Sequence, residues 1–190
     1  MPAKSRPPLT IRTVGHSTHP IEEFLTILKA HDVRQLVDVR TIPRSRRNPQ
    51  FNRESLPGSL QSAGIVYRHM PGLGGLRHAS RDSINTGWRN ASFRGFADYM
   101  QTPEFRQALD ALISLAAQAP TSIMCAEAVP WRCHRSLIAD ALVARGIEVL
   151  EILTAAKAQP HKLTPFARLD GTTVTYPESG ASLPLGFDGP

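Results

Sequence analysis

Only two cysteines, Cys125 and Cys133, occur in 190 residues. That is too few for a disulfide framework, so the fold must rest on its own core, and a chain of this length with 41% hydrophobic residues suits one globular domain. There is no run of about 18 apolar residues, which excludes a membrane-spanning helix. The N-terminal stretch MPAKSRPPLT is polar and Pro-rich rather than a basic segment leading into an apolar one, so no secretory leader is expected. A soluble, cytoplasmic protein without a membrane partner is the expectation. Lysine is scarce too, 4 against 18 arginines at a net charge of +6, and from Arg34 to Arg94 there are 11 arginines, no lysine and three acids, Asp38, Glu54 and Asp82. A GC-rich genome raises arginine over lysine without functional reason, so the distribution carries the argument rather than the total. Guanidinium groups grip phosphate and carboxylate with two parallel hydrogen bonds, and a basic middle third therefore points to an anionic ligand.

No internal repeat or long low-complexity tract is present. What is present is alternation. LTIRTV (9–14), RQLVDVR (34–40), IVYRHM (65–70), TSIMCA (121–126) and IEVLEIL (147–153) read as strands. Between them, helical periodicity runs through 20–30, 54–63, 96–100, 103–117 and 133–146, with Thr102 as an N-cap and Gly146 as a stop. This predicts an α/β domain, a mostly parallel sheet flanked by helices in a Rossmann-like three-layer arrangement, over residues 9–153. Residues 1–8 read as an N-terminal tail and 154–190 as a loosely structured Pro/Gly-rich tail, with one short strand at TTVTY.

Ligands of open parallel sheets bind beyond the carboxyl ends of the strands, and each chemically loaded stretch here directly follows a strand. MCAEAVPWRCHR brings Cys125 to that rim and starts the next helix near Cys133, His134 and Arg135, where helix dipole and arginines favour a thiolate. Either cysteine is a candidate nucleophile or ligand, or a small core residue, and Glu127 and His134 are acid/base candidates. Two thiols and a histidine are soft metal donors. The Cys-x7-Cys-His spacing lacks a zinc knuckle, however, and adjacent residues on one helix project about 100° apart, so no metal site is assigned. A transient disulfide across the turn is compatible with the spacing. In GHSTH, His16 and Ser17 face the rim, and Thr18 or His19 caps the helix. In VDVRTIPRSRR, Asp38 in an apolar strand requires a partner such as Arg40, and Arg44 and Arg46 follow as candidate anion ligands. LGGLR carries Gly74 and Gly75 but matches no nucleotide-binding loop. Trp88, Phe93 and Tyr99 serve packing or base stacking.

The combination of TVGHSTHPIEEF, LVDVRTIPRSRRNPQF, GIVYRHMPGLGGLR, FRGFADYM and MCAEAVPWRCHRSLIADAL resembles the DUF488 family of bacterial and archaeal proteins from about Thr13 to Leu153. The resemblance implies an α/β domain whose signature positions include Tyr67, Gly74, Gly75 and Arg94, and it names no reaction and no cofactor. Rhodanese-like enzymes share only VDVR and a cysteine after a late strand, which keeps sulfur transfer as a distant alternative. Two functions follow from the residues. The first is an enzyme or binding protein for a small anion, phosphate- or nucleotide-like, held by His16, Ser17, Arg40, Arg44, Arg46, Arg94 and Arg135, a thiol-dependent hydrolase or transferase if catalytic. The second is a nucleic-acid-binding protein using the arginine-rich stretch.

Overall fold

The computed structural model describes residues 9–178, and the expected N-terminal tail 1–8 and the stretch 179–190 lie outside the described residues. Strands and helices follow in the order β1 (Thr10–Gly15), α1 (Ile21–Ala30), β2 (Gln35–Asp38), α2 (Leu56–Ser62), β3 (Val66–His69), α3 (Ala91–Tyr99), α4 (Pro103–Ala116), β4 (Thr121–Cys125), α5 (Arg135–Val143) and β5 (Glu148–Thr154). Beyond them lie β6 (Lys157–Pro160), β7 (Arg168–Asp170) and β8 (Thr173–Thr175). The main sheet has the order β3-β2-β4-β1-β5-β6, parallel except where β6 returns antiparallel to β5. The α/β, mostly parallel, three-layer architecture is therefore as the sequence predicts.

The strands are buried on both faces, and alternate side chains divide between two cores. Val14, Leu36, Met124 and Ile152 pack with Phe24 and Leu28 of α1 and Leu56 and Leu60 of α2. Ile11, Val37, Ile123 and Val149 face the other way, onto Phe96, Phe105, Leu109 and Leu137 of α3 to α5. Each such side chain contributes about 1.5–3 kcal/mol by leaving water. Helix α3 begins earlier than its apolar periodicity suggests, because the Asn90 side chain accepts hydrogen bonds from the Ser92 and Phe93 N–H groups. Helix α1 begins after Pro20 with no side-chain cap, so neither Thr18 nor His19 caps it; His19 instead contacts Glu23 at 3.0 Å.

Chain order reverses beside β4. After β1 the chain crosses to β2 and β3, then returns to insert β4 between β2 and β1. The carboxyl ends of β1, β2 and β4 thus lie side by side at the crossing point where such sheets open a crevice. Gly15 stands opposite Cys125, and the His16 and Ser17 N–H groups donate to the carbonyls of Cys125 (2.9 Å) and Ala126 (3.0 Å). A Cβ on residue 15 would lie 2.0 Å from the Glu127 carbonyl oxygen, so only glycine admits this approach.

The reading of everything after Leu153 as a loose tail gives way over residues 154–178. Strand β6 extends the main sheet, β7 and β8 form a hairpin, and Tyr176 is fully buried against the core. The anchor is a polar cluster that no local pattern announces. Asp140 of α5 accepts from His161 Nε2 (2.8 Å), the Thr164 N–H (3.1 Å) and the Tyr176 hydroxyl (2.8 Å), while His161 Nδ1 donates to Glu151 Oε1 of β5 (2.7 Å). Burial pulls the His161 imidazole down, but hydrogen bonds to Asp140 and Glu151 and their charges outweigh it and raise its pKa to about 9. The groups facing it are Asp140 from α5, Glu151 and Gln159 from the β5–β6 ribbon, and Tyr176, with the Arg135 charge acting on Glu151.

A folded pKa above the unfolded value of about 6.5 stabilises fully below that value and is lost as pH rises towards about 9. Denaturant unfolding is therefore expected to show stability falling by roughly 2 kcal/mol over this interval. His161→Gln should flatten that fall, and an unchanged slope in the variant would assign the pH dependence to other groups.

Candidate thiol site at the sheet crossing

Strand β4 ends at Cys125, and the following seven-residue segment folds back through a 3-10 turn at Pro130–Arg132, so that Cys133 and His134 precede α5 rather than riding on it. That detail changes the geometry expected from sequence. The two residues are not fixed at successive positions of one helix, and their side chains converge with Cys125. The ligand atoms of Cys125, Cys133 and His134 all lie within 4.8 Å of one another. His134 Nε2 donates to the Val39 carbonyl (3.3 Å), which leaves Nδ1 as acceptor, 3.7 Å from Cys133 Sγ and 4.0 Å from Cys125 Sγ. The ring sits against Phe96 and over Gly75, where a Cβ would approach its Nδ1 to 2.6 Å. Both cysteines are free. Among the described residues this trio is the group whose donor atoms are close enough to share one ion.

Beneath the trio lies Arg135, 1% exposed. Its Nη1 donates to Thr13 Oγ1 (3.0 Å) and its Nη2 to the Glu127 carbonyl (2.7 Å), while its Nε has no partner among the described residues. No carboxylate among the described residues lies within 4.0 Å of it. A buried cation demands a compensating anion, and the thiol pair is the titratable group beside it. The Cys133 thiol is held well below the ordinary cysteine value, first by the hydrogen bond from Cys125, against desolvation, and then by His134 and the Arg135 charge. Cys125 moves the opposite way, pushed up by the same hydrogen bond and by burial. The pair thus shares one proton that stays and one that leaves easily.

A cavity of about 620 Å³ opens above the thiols. Of the residues predicted from sequence, His16, Ser17, Arg40, Arg44, Gly75, Cys125, Glu127, Cys133 and His134 line it. Arg46, Arg94, Arg135, Asp38, Tyr67 and Gly74 do not. Arg46 is exposed elsewhere, Arg94 is half-buried along α3, and Arg135 works from below. Asp38 has the partner its burial demands: Arg40 meets it with two parallel hydrogen bonds (2.9 and 2.6 Å), and the Tyr67 hydroxyl donates to it at 2.9 Å. Arg40 also donates to the Phe51 carbonyl and to His16 Nε2, so Asp38 neutralises it and four of its five N–H groups are used.

His16 takes a different role from the anion ligand expected. Burial lowers its pKa to about 4, so the ring is neutral, and its Nδ1 already donates to the Ser17 carbonyl (2.8 Å). It stacks on Phe51 at 4.2 Å and forms a wall. The exposed charges at the mouth are Arg44, Arg132 and Glu127. Thr41, Asn48 and Phe93 also line the cavity, and Phe51 supports it, although nothing in the local sequence marks them. Trp88 and Phe93 stack on each other at 4.7 Å, and Arg77 lies over the Tyr99 ring at 3.6 Å, so the rings considered for base stacking are engaged within the fold.

The family model described as "Domain of unknown function DUF488" matches residues 20–142, which takes in the Arg40 and Cys125–Arg135 segments but not Gly15–Ser17. No curated protein and no solved structure shows a significant match.

Proposed function

Because the chain belongs to the DUF488 family, whose description assigns no reaction, function has to be read from the cavity, and we propose that this protein is a thiol-dependent enzyme acting on a small anionic substrate. The observation that carries the reading is Cys133 Sγ placed 3.7 Å from the accepting nitrogen of His134, over the buried and otherwise uncompensated Arg135, at the floor of a cavity whose mouth carries Arg44 and Arg132. His134 takes the Cys133 proton at Nδ1, and the Val39 carbonyl holds the ring in the tautomer that allows it. The thiolate then faces the cavity, with Arg135 as its counter-charge. Substrate carboxylate or phosphate oxygens meet Arg44, Arg132 and the unused Nη1 hydrogen of Arg40. Glu127, exposed at the rim, is positioned to exchange a proton with a leaving group.

Two alkylating reagents of similar size but different charge test this. Iodoacetate, an anion, is expected to label Cys133 faster than neutral iodoacetamide, reversing the order seen with a free thiol. Arg44→Ala combined with Arg132→Ala should lower the iodoacetate rate several-fold and leave iodoacetamide nearly unchanged, and added salt should act in the same direction. Equal loss with both reagents, or none with either, would remove the anion from the account.

A further inference from the structure

Nucleophilic catalysis requires one activated thiol, and the cavity floor holds two. Cys125 is positioned by the end of β4 and Cys133 by the turn before α5, with their sulfurs within 4.8 Å of each other and both directed at the same His134 nitrogen. The segment between them is largely exposed, Ala126, Glu127, Ala128, Trp131 and Arg132 having little cover, whereas both sulfur carriers are held by flanking structure. A disulfide needs the sulfurs at about 2.05 Å, a closure within reach of such a turn. A hydrolytic or simple transfer mechanism has no use for the second thiol in this position.

We infer that Cys133 and Cys125 act as an attacking and a resolving thiol, and that the substrate class is a small disulfide carrying carboxylate groups, reduced by two electrons in the cavity. The inference rests on the thiol-enzyme reading above. The Cys133 thiolate attacks one sulfur of R–S–S–R, forming a Cys133–S–S–R mixed disulfide and expelling R–S⁻, which takes up the proton that His134 Nδ1 accepted from Cys133. His134 then accepts the Cys125 proton, and the Cys125 thiolate attacks Cys133 Sγ, forming the Cys125–Cys133 disulfide and expelling the second R–S⁻, which is protonated in turn. The balance is one substrate disulfide and two protein thiols giving two substrate thiols and one protein disulfide. An external dithiol, oxidised to its own disulfide, restores the protein. Arg44 and Arg132 meet the substrate carboxylates at the cavity mouth. The attack order follows from placement, since Cys133 has the shorter sulfur-to-Nδ1 distance, 3.7 against 4.0 Å.

The test uses the full chain, reduced, with glutathione disulfide as probe, and reads masses under denaturing, non-reducing conditions, both as purified and after chelation. Wild type should release two equivalents of glutathione and end two hydrogens lighter, without prior chelation. Cys125→Ser should stop at a glutathione adduct on Cys133, and Cys133→Ser should react at least about tenfold more slowly. Circular dichroism of the two variants secures the comparison, each serine being close in volume to the thiol it replaces. A stable adduct in wild type, trapping on Cys125 instead, or reaction only after chelation would each overturn the inference. Selective iodoacetate labelling of Cys133 separates the outcomes: if it persists while disulfide reduction fails, the thiol-enzyme reading stands and only the dithiol step falls, and if it is also absent, both fall.

Discussion

Asp140→Ala is expected to destabilise the protein by about 3–5 kcal/mol, the cost of removing one partner from a buried charged network. The substitution leaves a buried Tyr176 hydroxyl and the Thr164 N–H without an acceptor, and it strips the imidazolium of His161 of one of its two carboxylates. Two effects oppose the loss only weakly: Ala favours the helix by a few tenths of a kcal/mol, and His161 can lose its proton. Denaturant unfolding checks the magnitude. Limited proteolysis checks the place, since cleavage should begin between residues 157 and 176, the part of the chain that Asp140 ties to α5. A loss under about 1 kcal/mol would mean that the apolar burial of Val174 and Tyr176, rather than the polar cluster, holds this segment.

Arg135→Met is expected to lower the alkylation rate of Cys133 near neutral pH by about tenfold or more, because each unit of upward shift in the thiol pKa costs roughly that factor in thiolate once the pKa lies above the working pH. Met fills most of the same space and removes a buried cation that no carboxylate within 4.0 Å compensates among the described residues. Stability should therefore fall less than for Asp140→Ala, although the hydrogen bonds to Thr13 and the Glu127 carbonyl are lost. A rate–pH profile separates the two roles open to Arg135. If it tunes the thiol, the midpoint moves up while the plateau rate at high pH is retained. If it only braces the turn, the plateau falls and the midpoint stays.

Much of this arrangement was legible in the sequence because it follows from local pattern. Alternating apolar strands and amphipathic helices gave the parallel sheet, and the parallel sheet gave the rim on which His16, Arg40, Cys125 and His134 meet. Asp38 in an apolar strand demanded a cation two residues on, and Arg40 supplies it. What could not be read depends on contacts distant in sequence. Arg135 looked like an anion ligand because it carries charge beside the cysteines, yet the start of α5 turns it beneath the sheet end towards Thr13, 122 positions away. His16 looked like a cation donor until the ring of Phe51 closed over it. The segment after Leu153 looked loose because its strands are short and Pro/Thr-rich, and its anchors, Asp140 and Asn85, lie in other elements. Convergence of Cys133 and His134 with Cys125 depended on a 3-10 turn at Pro130–Arg132, which shifts the helix start by two residues.

The central claim is that Cys133 is an activated thiolate facing an anion-accepting cavity. The most direct test is the rate of alkylation of Cys133 and Cys125 as a function of pH, resolved by peptide mass, on protein as purified and after chelation. The account predicts that Cys133 reacts with an apparent pKa well below the reference of about 8.5, that Cys125 stays unreactive through neutral pH, and that chelation changes neither. Equal reactivity of the two at an ordinary thiol pKa, or reactivity that appears only once metal is removed, would contradict it.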